Sequence, residues 1–243
     1  DRMLDMGFYE DIMRIIKTLP EKRQTLLFSA TMPPKIRKLA DTILKDPEEV
    51  TIAISKPAEG VLQAGYLVYN KDKIRLIQEL IQGKESYQSI IIFGSTKRSI
   101  GDIVKGLRKV GIESYGISSD LEQDEREDVL NRFKARKFRA LVATDVIARG
   151  IDIKEVNLVI NYEVPQDAED YVHRVGRTAR ADSTGVALTF INEEDQHKFA
   201  RIEALIGKEI MKPPLPPGIG EGPKYEPGKK RGGGNKKHYG KKR

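Results

Sequence analysis

Ile90-Ile91-Ile92-Phe93 runs directly into Gly94-Ser95-Thr96, and then come Ile100, Ile103, Val104, Leu107 and Val110. The first run is apolar without alternation, as expected of a strand covered on both faces. The second set has the three-and-four spacing of one helix face. The same pair of patterns repeats outward along the chain. Apolar runs fall at 26–28, 140–143, 158–160 and 186–191. Helical patterns fall at 36–44, 74–81, 122–133, 167–175 and 194–206. Pro33 and Pro34 precede the first of these, where a helix can begin without losing a needed N–H. Strand and helix in turn, with no hairpin signal, predict a parallel sheet in an α/β fold.

The repeat is interrupted once. Residues 55–62 carry Ser55-Lys56-Pro57-Ala58-Glu59-Gly60, turn residues without a period, and read as a linker. Residues 1–54 hold too few elements for a complete sheet and read as the end of one domain. Residues 63–210 are long enough for a whole α/β domain. From Lys212 onward, 14 of 32 residues are Pro or Gly, so 211–243 is expected to be a disordered tail.

Composition removes several function classes. The 243 residues include no Cys, which excludes disulfide frameworks, thiolate zinc sites and Cys nucleophiles. It also fits a reducing compartment. No apolar run reaches the roughly 18 residues of a membrane span, and no signal-peptide pattern opens the chain. The first residue is Asp1 rather than Met, which reads as a piece of a longer protein. The net charge of +7 is concentrated at one end. Residues 224–243 hold nine Lys/Arg and one acid, leaving the rest of the chain near −1. A cationic, Gly-rich end with Tyr225 and Tyr239 suits flexible contact with nucleic-acid phosphates. It would also serve as a solubilising tail.

Four clusters carry candidate chemistry. Ser29-Ala30-Thr31 follows the run at 26–28, where small hydroxyls suit either a helix cap or a ligand edge. Thr144-Asp145 ends the run at 140–143 and is followed by Arg149-Gly150-Ile151-Asp152; the pair suits an N-cap, and Asp152 a ribose hydroxyl. His173-Arg174-Val175-Gly176-Arg177-Thr178-Ala179-Arg180 packs three Arg and a His together with no acid among them. Planar guanidinium forks fit phosphate oxygens, although such a cluster also serves as a solvated face. Gln123 and Arg126 stand three apart in an otherwise acidic helix, where an intrahelical ion pair is the plain reading.

In this order and spacing, S-A-T, A-T-D-x-x-x-R-G-x-D and H-R-x-G-R-x-x-R resemble the DEAD-box ATP-dependent RNA helicases. Asp1-Arg2-Met3-Leu4-Asp5-Met6-Gly7-Phe8 is similar to the residues that start at the last Asp of the family's D-E-A-D motif. The resemblance covers roughly residues 1–210, and the bacterial RhlE-like branch is the nearest look. It implies two RecA-like domains closing on ATP, Mg2+ and single-stranded RNA, with this chain carrying the end of the first and all of the second. It also implies roles by motif. Asp1 belongs to the acidic motif near the magnesium, and Ser29 and Thr31 couple that motif to the second domain. Asp152 meets the ATP ribose, Arg177 and Arg180 reach the γ-phosphate, and His173 links ATP state to closure. Gly94, Ser95, Thr96, Gln123, Arg126 and Thr144 lie on the RNA side. A cytoplasmic location, no membrane association and sequence-tolerant RNA binding follow from the same likeness.

The chain departs from the family pattern at Ser95, where Asn is common, at Ala179, where Gly is common, and at Tyr115-Gly116-Ile117-Ser118-Ser119-Asp120, where a His-Gly-Asp pattern is usual. It contains no G-x-x-x-x-G-K-[ST], so the fragment alone is expected to be inactive. Two other readings stay open: a stand-alone RNA-binding or annealing module, and a related helicase acting on DNA.

Overall fold

A computed structural model describes residues 3, 7–29, 32, 34–51, 60–118, 120–145, 156–178 and 185–228. The chain divides into two compact units, Asp1–Ser55 and Lys56–Arg243. In the first unit, helix α1 spans Tyr9–Lys17 and helix α2 spans Pro34–Ile43. Ile36 and Leu39 are buried, and the Arg37 fork reaches both oxygens of Glu49 at 3.2 and 2.9 Å. The run at 26–28 does not form a strand here, and Leu26 and Phe28 are 68% and 89% exposed. A strand needs a hydrogen-bonding neighbour, and the described residues of this unit supply none.

The second unit is an α/β sandwich, as the alternation predicts. Strands β1 (Val61–Leu67), β2 (Ile90–Phe93), β3 (Ser114–Ile117), β4 (Ala140–Ala143), β5 (Leu158–Asn161) and β6 (Gly185–Ile191) form one sheet in the order β1-β6-β5-β2-β4-β3. Every pairing in it is parallel. Helices α3 (Lys73–Ile81), α4 (Lys97–Lys109), α5 (Gln123–Lys134), α6 (Ala168–Val175) and α7 (Gln196–Ile206) cover its faces. Ile90 and Ile92 pack with Leu76 and Ile77 of α3 and Ile100 and Ile103 of α4. Ile91 and Phe93 point the other way, among Phe133 of α5, Tyr171 and Val175 of α6 and Phe199 and Ile202 of α7. Central strands β2 and β4 are apolar at every position because both of their faces are covered.

The expected disordered tail is corrected over its first half. Residues 211–228 run beside edge strand β1 and over α7. Gly65 N–H donates to Met211 O at 2.9 Å, and Ala64 and Met211 form a parallel bridge. Tyr225 OH donates to Glu203 Oε2 at 2.7 Å, and Lys212 Nζ donates to Glu203 Oε1 at 2.7 Å while sitting 4.4 Å from the Tyr225 ring centre. Ile219 is buried, and Gly222 passes so close to Leu67 that a Cβ would lie 1.8 Å from its carbonyl oxygen. A Pro/Gly-rich composition lowers mean hydropathy, yet a few well-spaced apolar groups suffice to dock an extended strap. Residues 229–243 lie outside the described residues.

Candidate nucleic-acid and nucleotide interface

In a parallel sheet the loops that follow the strands gather at one edge, where ligands of open α/β folds bind. Here that edge carries Gly94-Ser95-Thr96 after β2, residues 118 and 120–122 after β3, Thr144-Asp145 after β4 and 162–167 after β5. Lys97, opening α4, pairs with Asp120 and so ties the first two loops together. Gly94 is buried, and Ser95 and Thr96 are exposed. Thr96 Oγ1 accepts the Ser99 N–H at 3.0 Å, and Ser99 Oγ accepts the Thr96 N–H at 3.1 Å, a reciprocal cap that starts α4 at the edge.

Gln123 and Arg126 meet at the start of α5. Arg126 Nη1 donates to Gln123 Oε1 at 3.2 Å and Nη2 to Leu121 O at 3.3 Å, so its terminal nitrogens avoid the acids of its own helix. Its Nε is buried without a hydrogen-bond partner among the described residues. Gln123 Nε2 is held by Glu127 Oε1 at 2.8 Å. Thr144 is half-buried. The sequence-predicted RNA-side residues are therefore gathered at one edge, on its loops and in the first turn of α5.

The arginine cluster is divided by the fold. Arg174 is 4% exposed, and its Nε and Nη2 each lie 2.6 Å from an oxygen of Asp145. Its Nη1 donates to Asn161 Oδ1 at 3.1 Å and Glu163 O at 3.0 Å, and the guanidinium sits 4.9 Å from the Phe93 ring centre. It is thus a structural hub rather than a free cation, which the spacing alone did not reveal. Its acid stands 29 residues away in sequence, inside a motif already noted for other reasons. Arg177 lies beyond the end of α6, half-exposed, with its carbonyl accepting the Val156 N–H at 3.3 Å. The next residue, Thr178, is buried and donates from Oγ1 to Val156 O at 2.7 Å. Arg177 therefore sits at the start of β5, at the end of the strands opposite Ser95 and Thr96, on a turn anchored on both sides. His173 is exposed on α6, and Ser29 is half-buried in the first unit. Asp1, Thr31, Asp152 and Arg180 lie outside the described residues.

Glu163 and Lys73 were not singled out by sequence. Lys73 is 1% exposed and donates to Tyr162 O at 2.9 Å; burial pulls its ammonium below its ordinary pKa, against the attraction of Glu163 and Asp195. Burial pushes the Glu163 carboxyl above its ordinary pKa, against the pull of Lys73, the Ser95 amide and Arg174. Among the described residues no group of three or more His, Asp or Glu could hold a metal ion, and no helix is long and apolar enough to cross a membrane.

Comparison with known proteins agrees with this geometry. Residues 72–182 match the helicase conserved C-terminal domain, and residues 1–39 match the DEAD/DEAH box helicase family. The chain is 42% identical over 217 residues to the DEAD-box ATP-dependent RNA helicase CshA of Geobacillus kaustophilus, covering 88% of this chain and 46% of that protein. Among solved structures it is similar to the C-terminal domain of the DEAD-box protein Dbp5, at 30% identity and TM-score 0.59, covering 63% of this chain and 90% of that one. It also resembles S. cerevisiae Dbp5 bound to RNA and ADP BeF3, at 29% identity and TM-score 0.74, covering 85% of this chain and 55% of that one. The chain thus spans about half the length of the full relatives it matches. The parallel sheet is the RecA-like sheet of those helicases, and the chain belongs to the DEAD-box helicase family.

Proposed function

We propose that this chain is the RNA-gripping half of an ATP-dependent RNA helicase, with residues 1–54 belonging to the end of the first RecA-like domain. The observation that carries the reading is the gathering of Gly94, Ser95, Thr96 and Thr144 on loops, and of Gln123 and Arg126 in the first turn of α5, at one edge of the sheet. Exposed hydroxyls, backbone groups and one arginine suit phosphate and sugar, so binding is sequence-tolerant. The Dbp5 relative solved with RNA supports RNA as the strand held.

ATP and Mg2+ are the cofactors of this reading, and ATP supplies the phosphoryl group. Asp152 would take the ribose, Arg177 and Arg180 the terminal phosphate, and His173 would relay closure. Asp1, Ser29 and Thr31 would work from the first-domain side. Phosphoryl transfer depends on placement and charge neutralisation, so an arginine delivered by a second domain is typically worth about 10³–10⁵ in rate. RNA bound along the loop edge raises the closed population, which makes hydrolysis RNA-dependent and opens short duplexes locally. The reading places this work in the cytoplasm.

Fluorescence anisotropy with matched oligo-uridine and oligo-deoxyuridine tests the reading. Arg126→Ala should weaken oligo-uridine binding about threefold to tenfold without shifting the melting temperature. Unchanged affinity in Arg126→Ala overturns the assigned edge, and equal binding of both oligonucleotides removes the preference for RNA.

A further inference from the structure

The turn after β2 holds three successive amides by three different kinds of partner. Gly94 N–H donates to Ala143 O at 3.0 Å, extending the sheet ladder. Thr96 N–H donates to Ser99 Oγ at 3.1 Å, within the cap of α4. Between them, Ser95 N–H donates to Glu163 Oε2 at 2.9 Å, a bond that crosses 68 residues of sequence. The outer two bonds belong to the sheet and the helix. The middle one depends on a single distant side chain.

Glu163 is itself gripped from two sides. Arg174 Nη1 holds its carbonyl at 3.0 Å, and Lys73 Nζ holds the preceding carbonyl, Tyr162 O, at 2.9 Å. Tyr162 N–H in turn donates to Phe93 O at 3.0 Å, so the loop after β5 is tied to the base of the turn it supports. A mostly buried carboxylate beside a loop meant for phosphates is unfavourable by charge alone: it is desolvated, and it repels the ligand. Its compensating contact toward the loop is the bond to Ser95.

We propose that Glu163 is a positioning residue for RNA, fixing the Ser95 peptide so that the Gly94-Ser95-Thr96 turn is already shaped for a phosphate, with Lys73 and Arg174 holding Glu163 in place. This rests on the RNA-binding reading above. Preorganisation lowers the ordering cost of binding, so loosening the turn weakens affinity without removing any group that touches RNA.

The test uses the whole chain and a labelled ten-residue oligo-uridine, at about 0.3 M salt to weaken the pull of the basic C-terminal end. Glu163→Ala should lower affinity about tenfold, the range of one charge-assisted hydrogen bond, and should move the Ser95 amide resonance in a nitrogen-15 spectrum. Glu163→Gln keeps an acceptor oxygen at the same reach and should restore binding to the unmodified level or better. Glu163→Asp, one methylene shorter, should bind less well than Glu163→Gln, which keeps the test decisive if Glu163→Ala fails to fold. Undiminished binding in Glu163→Ala overturns the proposal. So does Glu163→Gln losing as much as Glu163→Ala, since charge rather than the bond would then matter. Failure of the unmodified chain to bind oligo-uridine overturns the RNA reading itself, and this inference with it.

Discussion

Arg174 and Asp145 face each other as a two-bond fork, Nε to Oδ1 and Nη2 to Oδ2, both at 2.6 Å. The pair joins the loop after β4 to helix α6, three residues before Arg177. Asp145→Ala would leave a buried guanidinium without its acid, which costs about 3–5 kcal/mol. The low end applies, because the Asp145 side chain is 25% exposed. Urea unfolding should show a lower midpoint with an unchanged slope. An unmoved midpoint would show that the fork contributes nothing to the fold.

The docked strap predicts an asymmetry between two truncations. A chain ending at Gly228 keeps Met211, Lys212, Ile219 and Tyr225 in place and should melt as the intact chain does. A chain ending at Ile210 lacks all four and frees the Gly65 N–H on edge strand β1. Burial of Ile219 and Tyr225 alone is worth on the order of 3 kcal/mol, and a bare edge strand invites aggregation. Equal melting of the two truncations would contradict the docking.

Strap stability should depend on pH through Glu203. Burial pushes this carboxyl up, but the bonds from Lys212, the Ile210 amide and Tyr225 outweigh it and hold the pKa below its ordinary value of 4.5. A carboxylate lowered in the folded state stabilises the fold above its unfolded pKa, and that stability is lost as pH falls through the folded value. The difference in melting temperature between chains ending at 228 and 210 should therefore be constant at neutral pH and shrink below about pH 4.5. Glu203→Gln should flatten this dependence, and a pH-dependent difference that persists in Glu203→Gln would assign it elsewhere.

The fold was legible where burial is two-sided. Ile90–Phe93, Ala140–Ala143 and Leu158–Asn161 are buried at every position, so three or four apolar residues in a row suffice to mark them. Edge strands β1 and β3 escaped because partial exposure and glycine blur their pattern. Those glycines serve packing: a Cβ on Gly65 would lie 2.8 Å from Ile191 and Phe199, and one on Gly116 would lie 2.6 Å from Ile100. The residues proposed for the RNA side could be picked out from sequence because motifs are local. The partners of Arg174 and Ser95 were not, since each lies across a turn of the sheet and no spacing records it.

The basic end past the strap should act through phosphates. Residues 229–243 hold eight Lys/Arg and no acid. Ending the chain at Gly228 should weaken RNA binding and reduce the log–log salt slope by about 0.7 for each phosphate that is no longer neutralised. An unchanged slope would show that this segment does not touch RNA.

Steady-state ATP turnover separates a helicase half from a stand-alone RNA-binding module. It would be measured with and without oligo-uridine, in this chain and in a longer polypeptide where a first helicase domain with an ATP-binding loop precedes it. The chain by itself should hydrolyse no ATP, and the longer polypeptide should show RNA-stimulated turnover. Arg177→Lys keeps charge but loses the planar fork, so it should cut that turnover at least about tenfold while RNA binding without nucleotide changes little. RNA-stimulated turnover by this chain alone, or full turnover with Arg177→Lys, would contradict the account.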